Sequence, residues 1–562
     1  MIASTTQAPS VQDDQKKQSS DEPMNQSVVT LETQEFYGFI QEEYGACWGT
    51  LKFEDSLSDY VNEARPFLYV DDTIDVHILR HFMTNQWKLK PPNIVLPVLS
   101  GVTNHKAFKN LKMTETLKNG IKNAANASEV WFITNGIDTG MPQLIGSAFR
   151  DELSMRRADD AWAIQMERTP KKRKQLVLIG IVCDDEIKEI FDTKPPKDAT
   201  KMEVKVPTRK REQLSLNSDH THFIIIREQP IGSSSKKSAE KESSTDNTGE
   251  KQLEKLTDSA ESTTNKFRDH FEQFLHQETL QQPTSPTTTN SVLTTAREAA
   301  PWSEDGFPMV CTLVRGTPGT IELLYRKIQQ EVPAVILKGT GSAADIIAFA
   351  YEEINAKNDK EYEDSYLKVE LTRRLLEEYP ILKDNNVKRN EIRDHIISIV
   401  KNADQGKRKF LTFLDVNSTT ASLNDFHKFI LSALLQSQKA VTGSKVNVQL
   451  KRNLQLTLDW NLPDLALSEI FQRDDDMKYT IQNDLFDKAV LGKKLESFVD
   501  LFLDREFVLH RYLKSDKLVA LFNQAKDREF LTTTSLEGIL GLTGVNMTNL
   551  VLFCFTQDSF RS

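Results

Sequence analysis

Cysteine is scarce in this chain of 562 residues: Cys47, Cys183, Cys311 and Cys554 are far apart and form no C-x-x-C pair. That excludes a disulfide framework, a zinc ribbon and a thioredoxin-like redox site, and it points to a reducing compartment. No run of about 20 predominantly apolar residues, the length that spans a bilayer, is present either. The nearest, Gly538 to Phe555, is diluted by Gly541, Thr543, Gly544, Asn546, Thr548 and Asn549, and reads as a buried C-terminal segment rather than an anchor. The N-terminus has no apolar stretch after its start, so no secretory signal is expected. Positive charge is not in excess. The 71 Lys and Arg against 81 Asp and Glu give a formal net charge of -10, which removes the electrostatic basis for a general nucleic-acid or anionic-lipid binder.

What is present is a soluble, multi-domain pattern, since a chain of this length holds about three or four units. Residues 1–32 read as a disordered tail. From about Phe36 to Pro230 continuous apolar runs alternate with helical patterns: IVLPVL at 94–99, VWFIT at 130–134, LVLIGIV at 176–182 and FIII at 223–226. Runs of this kind are strands covered on both faces, so a doubly wound α/β sheet is expected. Residues 231–262 are rich in Ser, Lys, Glu and Thr and read as a disordered insertion. Phe267, Phe271, Phe274 and Leu275 then mark a short amphipathic helix, followed by a polar linker at 279–300. Strands resume at MVCTLV (309–314) and AVIL (334–337), so the α/β domain, 33–355, is expected to close near residue 355. Residues 356–445 read as a helical connector, 446–530 as ankyrin-like stacked helical hairpins without a strict repeat length, and 531–562 as a divergent tail.

In an open α/β sheet ligands sit outside the carboxyl ends of the strands, near helix N-termini. Four strand-to-helix turns here carry glycine: Ser100-Gly101-Val102-Thr103-Asn104, Thr134-Asn135-Gly136, Arg315-Gly316-Thr317-Pro318-Gly319-Thr320 and Lys338-Gly339-Thr340-Gly341-Ser342. Glycine lets a backbone approach a phosphate, while exposed N–H groups and hydroxyls donate to it. Each turn is also explained by a tight connection alone, but four on one sheet favour a nucleotide cleft. Neither G-x-G-x-x-G nor G-x-x-x-x-G-K-[ST] occurs, so the dinucleotide and P-loop motifs are not met. His77 and His81 are spaced for a shared helix face but have no third ligand in view, and no metal is assigned. His220 and His222 precede a strand and fit a packing role as well as a ligand role. Asp474-Asp475-Asp476 and the basic run Lys171 to Lys174 read as solvated loop and exposed turn.

These residues resemble the cytosolic N-terminal region of melastatin-type transient receptor potential (TRPM) cation channels, over roughly residues 37–525. The resemblance is carried by Tyr37-Gly38-Phe39-Ile40, by Trp87 to Pro92, and by WFITNGIDTGMPQLIG at 131–146. Further on it is carried by LNSDHTHFIIIRE at 216–228, GTPGT at 316–320, VILKGTGSAADIIAFA at 335–350 and LDWNLPDLALSEIF at 458–471. It implies a Rossmann-like domain of the SLOG superfamily that senses nucleotides, followed by ankyrin-like helical repeats. No catalytic residue, metal or obligatory cofactor is implied. An ADP-ribose-type ligand is implied, placed near Gly101, Thr103, Asn104, Thr134, Gly136, Arg268, Gly316, Gly319, Thr320, Gly339 and Gly341, with Arg268 pairing a phosphate. Like chains or a TRPM-type channel, as a homo- or hetero-oligomer such as a tetramer, are the implied partners, at the cytosolic face of the plasma membrane. Where the family has paired glycines, T-G-G, G-G-P-G-T and D-D-G-T, this chain has Ser100-Gly101, Thr134-Asn135-Gly136, Gly316-Thr317-Pro318-Gly319-Thr320 and Arg227-Glu228-Gln229-Pro230. The family's six-helix pore does not follow.

Three functions stay open on the sequence. The first is a non-enzymatic nucleotide-sensing or assembly module. The second is an enzyme resembling the Lonely Guy phosphoribohydrolases, whose G-G-x-G-T-x-x-E motif reads here with Thr317 for the second glycine, Leu323 at the acidic position and Glu322 one residue early, about 100° around the helix. The third is a structural scaffold without a ligand.

Overall fold

The computed structural model describes residues 35–53, 64–101, 111–170, 172–187, 201–206, 214–227, 249–277, 302–356 without 304 and 305, 360–417, 423–438, 446–472, and 481–512 without 493, together with 514 and 517. Residues 1–32, expected as a disordered tail, the expected linker 279–300, the Asp474 run, Thr103, Asn104, Cys554 and the segment 531–562 lie outside the described residues.

Among the described residues nine strands lead up to residue 338: β1 (Cys47–Phe53), β2 (Arg65–Asp71), β3 (Ile94–Ser100), β4 (Val130–Thr134), β5 (Val177–Cys183), β6 (Lys201–Val206), β7 (His222–Arg227), β8 (Cys311–Val314) and β9 (Ala334–Lys338). A two-residue ribbon, β10 (Asp404–Gln405) with β11 (Arg408–Lys409), precedes β12 (Leu411–Asp415). Ten strands of the described residues form one sheet in the order β12-β9-β8-β3-β4-β5-β7-β2-β1-β6. Every neighbouring pair is parallel except β1 with β2. The expected doubly wound α/β sheet is therefore the fold.

The unbroken apolar runs have the expected cause. On β4, Trp131 and Ile133 pack on one face of the sheet while Val130 and Phe132 pack on the other; on β9, Ala334 and Ile336 oppose Val335 and Leu337. The first face is covered by the helices Val76–Asn85, Gly249–Gln277, Pro318–Gln329, Ser342–Ala356, Lys360–Glu378 and Asn386–Lys401. The second is covered by Leu111–Ala127, Gly140–Gln165, Phe426–Ser437 and the helices from Val446 onward. Phe267, Phe271, Phe274 and Leu275 are buried in the first core, as their spacing predicts.

Two expected boundaries move. The amphipathic helix is not short: it runs from Gly249 to Gln277, so its first turns lie inside the span read as disordered, because polar Glu, Lys, Ser and Thr form helix once an apolar face at the far end anchors it. The sheet does not close near residue 355. Leu411 to Asp415 pairs in parallel with Ala334 to Lys338, so the connector contributes an edge strand; with only Leu411 and Leu414 fully buried, its run carries no strong alternating signal. Among the described residues, helices Val446–Asp459, Pro463–Ala466 continuing through Phe471, Asn483–Leu491 and Glu496–Asp504 make up the expected helical region.

Candidate functional site

The strand order reverses at β3. From it the chain winds outward through β4 and β5 on one side, and later through β8, β9 and β12 on the other. The crevice between β3 and β8 is thus the switch point of the sheet, where open α/β folds place ligands. The four glycine turns follow β9, β8, β3 and β4, four consecutive parallel strands, so all four lie along one edge.

Three of the turns meet. A Cβ on Gly101 would lie 2.6 Å from Thr317 Cγ2, so the turns after β3 and β8 touch. A Cβ on Gly341 would lie 3.7 Å from an Arg315 Nη, which joins the β8 and β9 turns. Gly316 holds φ +104, a backbone open to glycine alone, and its carbonyl accepts from Tyr379 Oη at 2.9 Å. Gly319 sits in the first turn of Pro318–Gln329, and Thr320 is buried beside it. The other predicted residues point elsewhere. Gly339 faces Asn417 and Val416 beyond β12. Gly136 packs on Gly180 and Phe223, while Thr134 Oγ1 bonds His220 Nε2 at 2.8 Å.

Arg268 lies behind the crevice. Buried at 3% exposure, it donates to the carbonyls of Val98 (3.2 Å) and Ile133 (3.5 Å) near the ends of β3 and β4, and to Glu272 Oε1 at 3.1 Å. Glu272 in turn holds Lys327 Nζ at 3.0 Å. The guanidinium ties the helix Gly249–Gln277 to β3, which borders the switch point, and to its neighbour β4.

The amides of the turns already have acceptors. Gly339 N and Gly341 N donate to the two carboxylate oxygens of Asp345, at 2.6 and 3.0 Å. Thr317 and Thr320 form a reciprocal capping box that takes both their N–H groups. Gly136 N donates to Thr134 Oγ1 and Ile137 N to Asn135 Oδ1. Of these acceptors, Thr317 and Asn135 stand where the related pattern has glycine.

One cation of the crevice escaped sequence reasoning. Arg315, at φ +55 immediately after β8, has a buried Nε with no hydrogen-bond partner, and its Nη2 lies 3.8 Å from Glu378 Oε1. Ser342, which opens the helix Ser342–Ala356, donates its hydroxyl to the same carboxylate oxygen. Glu378 thus sits where an anionic ligand of Arg315 and Ser342 would sit. The only signal was an arginine at the strand end directly before a glycine turn. Leu323, at the acidic position of the hydrolase motif, is buried in the first core at 1% exposure.

Histidine roles are also settled by partners. His220 is fully buried; Nδ1 donates to Asn217 Oδ1 (3.0 Å) and Nε2 accepts from Thr134, so the ring is neutral, and burial pulls its pKa down to about 3. Burial does the same to His222, which packs against Trp87. His77 lies edge-on to Phe274, and His81 lies against Phe36.

A doubly wound sheet with helix-opening turns gathered at its switch point defines a Rossmann-like α/β class. Within it, the chain matches the family model described as SLOG in TRPM over residues 66–243 and 256–398, and it belongs to that family. It is 23% identical over 489 residues to a sea anemone (Nematostella vectensis) transient receptor potential cation channel subfamily M member-like 2, covering 84% of this chain and 26% of that protein. It is 23% identical to the mouse (Mus musculus) subfamily M member 6 over 504 residues (86% of this chain, 20% of that protein) and 23% to mouse member 2 over 485 residues (86% and 27%). The chain therefore spans about a fifth to a quarter of the length of these relatives. No helix among the described residues is long and apolar enough to cross a membrane.

Proposed function

We propose that the chain is a non-catalytic regulatory and assembly module of TRPM-type cation channels, working at the cytosolic face of the plasma membrane with like chains or a channel, and that its switch-point crevice takes an ADP-ribose-type nucleotide. The observation that carries this reading is the convergence of Gly101, Gly316 and Gly341 at the β3/β8 crevice beside Arg315, a cation with an unsatisfied Nε. A diphosphate would take the place of the Glu378 carboxylate on Arg315 and Ser342, with Gly319 and Thr320 in the facing turn, while Thr134, Gly136 and Gly339, turned into the fold, would act only by shaping their turns. Arg268 holds the crevice from behind. Hydrolysis has no support, because Leu323 supplies no acid.

A second reading, a scaffold without a ligand, is favoured by one observation: the turn amides already bond to Asp345, Thr317, Thr320, Thr134 and Asn135. Isothermal titration of the full chain with ADP-ribose separates the two. Saturable binding is expected, weakened by Arg315→Ala by about 1.5 to 3 kcal/mol, as for a charged hydrogen bond, and strengthened by Glu378→Gln. No heat and no thermal shift at millimolar ligand would establish the scaffold.

A further inference from the structure

The turns after β8 and β9 are closed by the chain itself. The helix Lys360–Glu378 ends on them, and its last residue and the one that follows reach one turn each. Glu378 Oε1 accepts the Ser342 hydroxyl from the β9 turn and lies 3.8 Å from Arg315 Nη2 of the β8 turn. Tyr379, buried beside it, donates its hydroxyl to Gly316 O at 2.9 Å. One helix end thus sets a carboxylate on the cation and a phenol on the glycine carbonyl.

The receiving residues are held in an uncommon backbone state. Arg315 and Ser342 have φ +55 and +57, in the left-handed region that residues with a side chain rarely adopt. Such geometry persists where the surroundings over-determine it, and it clusters at ligand clamps and switches. Here Arg315 N donates to Thr340 Oγ1 at 3.1 Å, and Arg315 O accepts from Ala344 N at 2.8 Å. The clamp is rigid, whereas the helix end it holds is not favoured by its own helix. Glu377 and Glu378 stand in the last turn, where the negative end of the helix dipole disfavours acids, and no basic residue occupies that turn. Arg373 answers Glu377, so Glu378 depends on Arg315 and Ser342. The Glu378 side chain is 39% exposed and that of Arg315 22%, which lets a solute reach the pair. A partly exposed pair at 3.8 Å is weak, and a phosphate brings more charge and more acceptor oxygens than one carboxylate.

We propose that Glu378 and Tyr379 form a built-in latch on the crevice: an anionic ligand binds by displacing the Glu378 carboxylate, which frees the last turn of the helix Lys360–Glu378. Ligand and seated latch exclude each other. This rests on the nucleotide reading above and adds how that site is regulated. Pro380 to Leu382 lead from the latch into the helix Asn386–Lys401, which packs on Pro318–Gln329 and precedes β12, so release of the latch is passed to the helical connector.

The test follows backbone amides by hydrogen–deuterium exchange in the full chain, beside calorimetry with ADP-ribose. Tyr379 N bonds Leu375 O at 2.9 Å and Leu382 N bonds Tyr379 O at 3.0 Å, so both amides report the seating. Without ligand, Glu378→Gln is expected to speed their exchange by about fivefold, and Glu377→Gln, the neighbouring acid, to leave it unchanged. Saturating ADP-ribose is expected to speed the same amides in the wild-type chain. In calorimetry Glu378→Gln should bind about three- to tenfold more tightly than the wild-type chain, with Glu377→Gln again unchanged. Should Glu378→Gln melt early, Tyr379→Phe, which keeps the buried ring and removes only the hydroxyl, is expected to shift exchange and affinity in the same directions. Saturable binding with unchanged exchange, or equal affinity in the wild-type chain, Glu378→Gln and Tyr379→Phe, would overturn the latch and leave the nucleotide reading standing. Binding by neither the wild-type chain nor Glu378→Gln would overturn the nucleotide reading and the competition with it.

Discussion

Glu272 sits at 0% exposure between two cations, Arg268 and Lys327, and Lys327 is held from the other side by Asp269 at 3.1 Å. Burial alone would lower the pKa of Lys327, yet the two carboxylates raise it, so the ammonium stays charged in the core. Removing the shared carboxylate leaves two buried cations short of charge. Glu272→Ala is therefore expected to cost about 3 to 5 kcal/mol, read as a lower urea midpoint. The paired histidines give the opposite kind of test. Folded His220 and His222 stay neutral down to about 3, whereas the unfolded chain protonates them near 6.5. Their contribution is whole above pH 6.5 and is lost as pH falls from 6.5 towards 3. The urea midpoint should drop between pH 7 and pH 4.5, and His220→Gln with His222→Gln should flatten that slope; an unchanged slope would remove the assignment. At this scale the sequence was least legible. Arg268 was found through resemblance, but its carbonyl partners lie 170 and 135 residues away. Asp345, which closes the Gly339 and Gly341 amides, and Glu378, which holds Ser342 and Arg315, stand on helices whose position no spacing reveals.

The turns after β3 and β8 show how elements set the crevice. Thr317 caps the helix Pro318–Gln329 through its hydroxyl and lays its methyl against Gly101. A Cβ at 2.6 Å from that methyl meets a β-branched side chain fixed by its cap, so it cannot swing aside. Gly101→Ala should cost about 1 to 3 kcal/mol by overpacking, and Thr317→Ser, which keeps the capping hydroxyl and removes the methyl, should restore most of it. A double-mutant cycle in urea measures the coupling, and additive effects would show that the two turns do not touch. The strands that bound this crevice were legible because each is covered on both faces and reads as an unbroken apolar run. The edge strands β6 and β12 were not, since they carry no such run, and in the interior strand β1 Gly49, Thr50 and Lys52 break it; the buried run Phe67 to Val70 of β2 was passed over.

The helical region and the sheet share one core. Trp460 donates to the buried Ser128 Oγ at 3.0 Å, and Leu454, Leu458 and Phe498 belong to the same apolar cluster as Phe132 and Leu337. β12 carries the chain back to the sheet after the point where composition suggested that the α/β unit was complete, and Val416 N extends that pairing by donating to Lys338 O. A cut at residue 355 would strip β9 of its parallel neighbour and expose the second face of the sheet along Val335 and Leu337. Burial of that face is what offsets the entropy of ordering the edge. The full chain is accordingly expected to unfold in one transition, with tryptophan fluorescence and far-ultraviolet circular dichroism superimposing across the urea titration. A fragment of residues 33–355 should instead expose apolar surface to a dye, lose near-ultraviolet signal, and bind no nucleotide. Two separated transitions in the full chain, with the fragment melting like the first of them, would show that the helical region rests on the sheet without stabilising it.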